Sequence, residues 1–145
     1  MDSLGPLEEA PAYQLYRLAR LLRQNLRTAL ESGGLDVTSE QYFLLYRLMQ
    51  KDGVAQSELA DNVLGDYPNI TRHVDSLQKK GLVERQSDPS DRRKYLINLT
   101  ALGRRQMELA IPIIKAERSR LFGDYKAEDM DALRKYISDI QSKLV

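Results

Sequence analysis

The segment of residues 81–100, GLVERQSDPSDRRKYLINLT, most constrains the fold, because it places two strand-like runs around a charged connection directly after a helix. Apolar and polar residues alternate over residues 82–86 and 95–99, a pattern typical of half-buried strands. The connection, residues 87–94, contains an Asp-Pro turn signal. It also carries three consecutive cations, Arg92, Arg93 and Lys94. A basic triplet on a hairpin tip can reach a polyanion, so this segment predicts the wing of a winged helix.

Two longer helices are predicted ahead of this wing. Leucines at helical spacing run over residues 12–31, and the glycines at 33–34 end that pattern. Thr38, with Gln41 three residues later, forms a capping-box signal. We therefore predict a second helix over residues 38–50.

A pair of short helices is predicted next. Gln56 or Ser57 is expected to cap the first of them, SELADNV. A turn at residues 64–66 then leads into the second helix, residues 67–80, and Gly81 stands where a left-handed C-cap residue belongs. Two short helices joined by a tight glycine turn indicate a helix-turn-helix.

The second helix of this pair has one apolar face. Ile70, Val74 and Leu77 lie at i, i+4 and i+7, so they point into the core. The opposite sector is polar, and small polar residues with one arginine can approach base edges in a DNA groove. At about 100° per residue, this sector and its flanks hold Pro68, Asn69, Thr71, Arg72, Asp75, Ser76 and Lys79. Ordinary solvation is the alternative for such a face, and the adjoining wing favours nucleic acid.

Composition excludes several function classes. The chain has no cysteine and one histidine, which rules out disulfides, thiol redox sensing and cysteine zinc sites and argues against any metal or cofactor. No phosphate-cradling glycine loop or nucleophile-base set suggests an enzyme. The net charge of +1 favours a local basic patch over nucleic-acid binding through bulk charge.

The same sequence predicts one domain in the cytoplasm. Its 145 residues are enough to bury a core. The start, MDSLGPLEEA, lacks the cationic and apolar regions of a secretion signal, and no apolar run reaches about eighteen residues. We therefore expect no membrane association.

Residues 38–103 resemble the MarR family of bacterial winged-helix transcription regulators. The resemblance rests on the order and spacing of SEQYFLLYRL, SELADNV, NITRHVDSLQKKGLVER, DPSDRRKYLINLT and the closing LTALG. It implies a mainly α fold with a small β-wing, and a homodimer whose all-helical dimer region is built from both chain ends. It also implies a pseudo-palindromic operator in double-stranded DNA, read by the second short helix in the major groove and by the wing in the minor groove.

The residues expected to contact DNA lie on the short helices and the wing. Asp91 and Arg93 match the family's Asp-x-Arg, and a carboxylate beside a guanidinium fixes its direction before DNA arrives. Arg93 is therefore predicted to probe the minor groove, with Arg92 and Lys94 on phosphates. The full predicted set is Thr38, Ser57, Pro68, Asn69, Thr71, Arg72, Ser76, Lys79, Asp91, Arg92, Arg93 and Lys94.

One segment departs from the family pattern. In Val63-Leu64-Gly65-Asp66 the glycine lies one position later than in the family, and the next two residues, Tyr67-Pro68, replace a polar pair. The leading interpretation is a sequence-specific DNA-binding repressor released by a small effector. The alternative is a winged-helix dimer that serves mainly protein association, with weak or lost operator binding.

An effector cavity is expected between the first two helices and the winged helix-turn-helix. The resemblance implies that small aromatic or anionic molecules bind there. Tyr13, Tyr16, Arg17 and Tyr42 are the predicted lining residues, with core packing as the alternative for the tyrosines.

Both chain ends carry apolar stripes that predict dimerisation. Near the C-terminus, apolar residues repeat at spacings of 3, 4, 3 and 4, which is a coiled-coil-like seam. The predicted interface consists of Leu15, Leu18, Leu22, Met130, Leu133, Ile137, Ile140 and Leu144. Packing within one chain is the alternative. The expected division is a dimerisation helix over residues 1–36, a winged helix-turn-helix head over 37–100 and dimerisation helices over 101–145.

Overall fold

Six α-helices and a three-stranded antiparallel sheet are formed by residues 3–64 and 67–145, the ranges that this computed structural model describes. In chain order the elements are α1 Pro11–Ser32, α2 Ser39–Gln50, β1 Val54–Ala55, α3 Gln56–Leu59, α4 Tyr67–Lys79, β2 Val83–Asp88, β3 Asp91–Leu99, α5 Ala101–Phe122 and α6 Ala127–Ser142. The predicted class, mainly α with a small β-wing, is confirmed. None of the helices in these ranges is long and apolar enough to cross a membrane.

Local capping defines the ends of several helices. The Thr38 hydroxyl accepts a hydrogen bond from the Gln41 amide at 3.1 Å, and the Gln41 side chain accepts one from the Thr38 amide at 3.0 Å. The predicted capping box of α2 is therefore confirmed. Thr100 caps α5 in a similar way by accepting from the Gly103 amide at 2.9 Å.

Gly81 ends α4 as predicted. Its φ is +75°, a left-handed conformation that glycine adopts without steric cost. The Leu82 amide donates back to the Leu77 carbonyl and the Gly81 amide to the Gln78 carbonyl, each at 3.0 Å. This pair of bonds satisfies the last carbonyls of the helix and turns the chain directly into β2.

The first short helix differs from its prediction. Its N-cap is Ala55, with no side-chain hydrogen bond, so neither Gln56 nor Ser57 is the cap. The reason is that Val54 and Ala55 pair with β3 as a short strand, which makes the last strand residue the entry to α3. The helix then continues as a π-helical segment, Ala60–Leu64. The other two residues of the predicted turn, Gly65 and Asp66, lie outside the described residues.

The sheet order is β1-β3-β2, with β3 in the centre. Both hairpin strands are longer than predicted, so most of residues 87–94 is strand and only residues 89–90 form the turn. Ser87 pairs with Tyr95 whereas Asp88 pairs with Asp91. Residues 92–94 therefore have no partner on β2 and form a bulge, the type of irregularity that redirects side chains at a sheet edge.

The core lies between the end of α1, α2, the helix-turn-helix, the sheet and the start of α5. Ile70, Val74 and Leu77 of α4 are at most 1% exposed, which confirms the predicted inward face. They pack in one cluster with residues such as Leu45 and Ile97. Since burying one such side chain contributes about 1.5–3 kcal/mol, this cluster fixes α4 against the sheet.

Candidate nucleic-acid interface and effector cavities

The polar face of α4 points away from the core. Asn69, Thr71, Arg72 and Lys79 are exposed, and Ser76 is half-buried. A single helix face thus presents one guanidinium, one ammonium and small polar groups to solvent, which is a composition that can enter a major groove. Apart from Pro68, whose side chain lies outside the described part of the chain, the predicted outward positions are confirmed.

Arg85 of β2 connects the wing to the helix-turn-helix. Its guanidinium pairs with Asp75 at 2.6 Å and donates to the Gln78 side chain at 2.8 Å and the Gln56 side chain at 3.2 Å. It also donates to the Thr71 carbonyl at 3.4 Å, and the side-chain amide of Gln56 donates to the Thr71 hydroxyl at 3.1 Å. The Arg85 side chain is 17% exposed. These bonds, which we call the Arg85 network, hold α3, α4 and the wing in one arrangement.

Arg85 is not among the residues predicted from the sequence, although one signal points to it. Arg85 stands two residues after Val83, so both side chains lie on the same face of β2, and Val83 is buried. An arginine on the inward face of a strand requires charged or polar partners. That requirement could have marked Arg85 as a residue that joins elements.

The cations of the wing lie on a bulged strand and not in a loop. Arg92, Arg93 and Lys94 belong to β3 and are exposed, directly after the two-residue turn. At the turn, the Ser90 amide and hydroxyl donate to the Asp88 carboxylate at 2.9 and 2.7 Å. These hydrogen bonds from Ser90 lower the pKa of Asp88, because they stabilise its charged carboxylate.

The predicted pairing of Asp91 with Arg93 is confirmed. The Asp91 carboxylate accepts from the Arg93 amide at 3.1 Å and from its guanidinium Nε at 3.2 Å. The Arg93 side chain is nevertheless 91% exposed. Asp91 therefore directs a guanidinium that protrudes from the wing and keeps its terminal nitrogens available.

Two other predicted DNA contacts have different surroundings. The Thr38 hydroxyl is engaged in the capping box of α2, and Thr38 lines a cavity beside α1. Ser57 is exposed on α3, on the first helix of the pair. Ser57 thus remains accessible to a ligand, whereas the Thr38 hydroxyl has a structural partner.

Two adjoining cavities lie along α1. The outer cavity has a volume of about 620 Å³, lies between α1 and the start of α2, and is lined by Tyr16 and three arginines, Arg20, Arg23 and Arg27. The inner cavity, about 510 Å³, lies between α1, α2 and α5 and contains Tyr42. Ala19, Arg23 and Ser39 line both. Both volumes fall within the range of small-molecule sites, about 300–1,000 Å³.

The predicted effector residues do not form one group. Tyr16 lines the outer cavity and Tyr42 the inner one, whereas Tyr13 and Arg17 line neither. Arg17 is next to Tyr16 in the sequence but points about 100° away around α1. Burial raises the pKa of the Tyr42 phenol, which therefore stays protonated. In the described ranges, no three His, Cys, Asp or Glu residues are grouped so that they could hold a metal ion.

The apolar stripes at the two chain ends are largely uncovered. Leu15 and Leu18 are exposed at the start of α1, whereas Leu22 is half-buried and lines the inner cavity. No residue of α6 is buried. Met130 is half-buried, and the rest of the predicted seam is exposed: Leu133, Ile137, Ile140 and Leu144.

Both the sequence and the fold of this chain are similar to those of known proteins. Residues 37–95 match the sequence model of the MarR family. A structure of CouR from Rhodococcus jostii RHA1, bound to p-coumaroyl-CoA, is 30% identical, with 94% of each chain covered and a TM-score of 0.80. The chain belongs to the MarR family. A second CouR structure, described as a transcriptional repressor bound to a 23-mer DNA duplex, is 26% identical over 97% of this chain and 99% of CouR, with a TM-score of 0.79.

Two other proteins are also similar to this chain. The S. aureus MepR-DNA complex has a TM-score of 0.84 over 95% of this chain and 99% of MepR, and at 24% identity it supports the fold. BadR from Rhodopseudomonas palustris, a transcriptional activatory protein, is 29% identical over 132 residues, which are 88% of this chain and 74% of BadR. This MarR chain is accordingly a DNA-binding transcriptional regulator, a class of proteins that are not enzymes.

We expect Arg85→Met to weaken operator binding without a change in its salt dependence. The substitution keeps an apolar stem and removes the Arg85 network, so α4 and the wing are no longer held in one arrangement. Losing the geometry of one base contact costs about 1–3 kcal/mol, or roughly 5- to 150-fold in affinity. Fluorescence anisotropy over a salt series measures both quantities.

Arg105→Met is the matched control for this substitution, because Arg105 is exposed on α5. A loss of affinity in Arg85→Met no larger than in Arg105→Met would contradict the positioning role of the Arg85 network.

Proposed function

We propose that this chain is a homodimeric transcriptional repressor that binds a pseudo-palindromic operator and is released by a small effector. In this proposal α4 enters the major groove and the wing enters the adjacent minor groove. The observation that carries it is the Arg85 network, which holds an exposed polar helix face and a protruding basic wing in one rigid arrangement. Two linked elements of this kind suit a duplex better than an isolated basic patch does.

Each element supports a different kind of DNA contact. Arg72, on the outer face of α4, can reach a guanine edge with two parallel hydrogen bonds. Arg93, directed by Asp91 and highly exposed, suits the minor groove, where narrow A·T-rich segments attract arginine. Arg92 and Lys94 suit the phosphates that flank this minor groove. CouR, a transcriptional repressor whose structure contains a bound 23-mer DNA duplex, supports this docking.

Uncovered apolar surface supports the homodimer. The seam of α6 and the start of α1 expose leucines and isoleucines at helical spacing, and within the described ranges no residue of α6 is buried. Packing within one chain would have buried this seam. A second copy covers it and places two heads on two half-sites about one helical turn apart. Operator DNA in turn implies a cytoplasmic location.

A chain of ion pairs supports release by an effector. Arg27 lines the outer cavity and pairs with Asp36 at 2.9 Å. Lys80, directly after α4, donates to the Asp36 carbonyl and lies 3.9 Å from its carboxylate. A ligand that draws Arg27 away from Asp36 would also change the contact of Asp36 with Lys80, at the C-terminal end of α4. The CouR complex with p-coumaroyl-CoA supports the existence of a ligand site.

Operator selection from genomic DNA with the purified protein tests this function. We expect one palindromic motif whose binding weakens steeply with salt, since each neutralised phosphate contributes a slope of about −0.9 in log affinity against log salt. Specific affinities of such dimers lie around 10⁻⁸–10⁻¹¹ M. Equal affinity for every selected and random duplex would favour the protein-association alternative.

We expect Arg93→Ala to weaken binding to all operator sequences by roughly tenfold or more and to flatten the salt dependence by about one unit per subunit. Stability should change little, because Arg93 is 91% exposed and its pair with Asp91 lies on the surface. Arg93→Lys is the matched control: it keeps the charge and the salt slope but loses the planar guanidinium. If both variants bind like the unmodified protein, the wing does not enter the groove.

A further inference from the structure

The wing, which is the hairpin of β2 and β3, is paired with β1 only near its base. The two residues of β1 pair with Leu96 and Ile97 of β3. Residues 91–95 of β3, which include the wing cations, extend beyond β1. Since a strand rises about 3.3 Å per residue, Arg93 lies roughly 10 Å beyond Leu96. A small rotation at the base of the wing therefore moves the Arg93 guanidinium by a larger distance at the tip.

Asp52 adds one more bond at the base of the wing. It lies in the connection between α2 and β1, and the register of β1 on β3 places position 52 opposite Leu99. The Leu99 amide donates to Asp52 Oδ1 at 3.1 Å. A side-chain oxygen thus takes the place of the main-chain carbonyl with which a longer β1 would hold the end of β3.

The other oxygen of Asp52 holds α5. Asp52 Oδ2 pairs with the Arg104 guanidinium at 3.1 Å. Next to β2, the Thr100 amide donates to the Leu82 carbonyl at 3.1 Å. A Cβ at Gly103 would lie 2.0 Å from that carbonyl oxygen, so glycine allows α5 to pack this closely on the chain before β2. The base of the wing is therefore held by α5 beside β2 and by Asp52 beside β3.

The contacts of Asp52 are independent of the Arg85 network. That network holds β2, whereas Asp52 holds β3, the strand that carries the wing cations, and the two sets of contacts share no residue. The side chains of Asp52 and Arg104 are 46% and 44% exposed. Because an ion pair this exposed adds little to stability, we expect Asp52 to affect the direction of β3 more than the stability of the fold.

We propose that Asp52 is a positioning residue for the DNA-binding wing. By holding the end of β3 to the α2–β1 connection and to α5, it sets the direction in which Arg93 points toward the minor groove. This assignment rests on the proposed entry of the wing into the minor groove and adds the residue that directs the wing there.

A double-mutant cycle on the full-length protein tests this role. Fluorescence anisotropy with the selected operator duplex measures the loss of affinity that Arg93→Ala causes in two backgrounds, the unmodified protein and Asp52→Ala. We expect a loss of roughly tenfold or more in the unmodified protein and of about threefold or less in Asp52→Ala, because a misdirected guanidinium contributes less. Asp52→Asn should retain most of the loss, since its side-chain oxygen can still accept from the Leu99 amide.

Glu58→Ala is the matched control background. Glu58 pairs with Lys51 at 3.8 Å, and its side chain is 44% exposed, close to the value for Asp52. The substitution removes the same charge and a surface ion pair, and the loss caused by Arg93→Ala should stay at roughly tenfold or more. An equal loss in the Asp52→Ala and Glu58→Ala backgrounds would overturn the positioning role alone. No loss in the unmodified protein would overturn the proposed docking of the wing, and this role with it.

Discussion

Replacing Ile137 with aspartate is expected to convert the proposed dimer into monomers and to reduce operator affinity by about 10²- to 10⁴-fold. Ile137 lies in the exposed seam of α6, and in a symmetric dimer the substitution places one unpaired charge in the interface from each subunit. Burying such a charge costs several kcal/mol. The affinity falls because the second head is then no longer held near its half-site, and the benefit of linked binding is lost.

Sedimentation velocity at micromolar concentration and operator titration measure these two effects. Ser138→Asp is the matched control, because it adds the same charge on α6 about a third of a turn from Ile137. It should leave the dimer intact. A monomeric unmodified protein, or an Ile137→Asp dimer that binds the operator normally, would show that this seam is not the interface.

Replacing Arg72 with alanine is expected to reduce operator affinity by roughly 30-fold to more than 10⁴-fold. One good base contact contributes about 1–3 kcal/mol, and a palindromic site contains that contact twice, so the loss is about 2–6 kcal/mol. Because Arg72 is exposed, the stability of the fold should change little. The variant should also lose its preference at one base pair in each half-site.

Lys79→Ala separates base reading from charge. Lys79 lies two turns further along the same exposed face and is suited to a phosphate, so its removal should weaken binding uniformly and flatten the salt dependence. Binding measured against a set of single-base operator variants distinguishes the two patterns. Unchanged base preference in Arg72→Ala would mean that this face of α4 does not read the major groove.

Several features of this protein could be predicted from local sequence signals. The capping box of Thr38 and Gln41 and the C-cap at Gly81 act within a few residues, so their outcome does not depend on the rest of the chain. The Asp91–Arg93 pair also spans only two residues.

Other features were decided by residues far apart in the sequence. The entry to α3 differs from the prediction because Val54 pairs with Ile97, more than forty positions away. The basic triplet lies on a bulge and not in a loop because the register of β2 against β3 shifts between Ser87 and Asp88. Strand pairing of this kind leaves only a weak trace in either partner's own sequence.

The sequence by itself determined the order of the helices, the inward face of α4 and the family, since periodicity, capping and motif spacing are properties of short segments. Only the tertiary structure decided that Arg85 joins α3, α4 and the wing, that two cavities adjoin along α1, and that the described residues leave most of the α6 seam exposed. The reason is physical: each of these features depends on distances between elements, and packing of the whole core sets those distances.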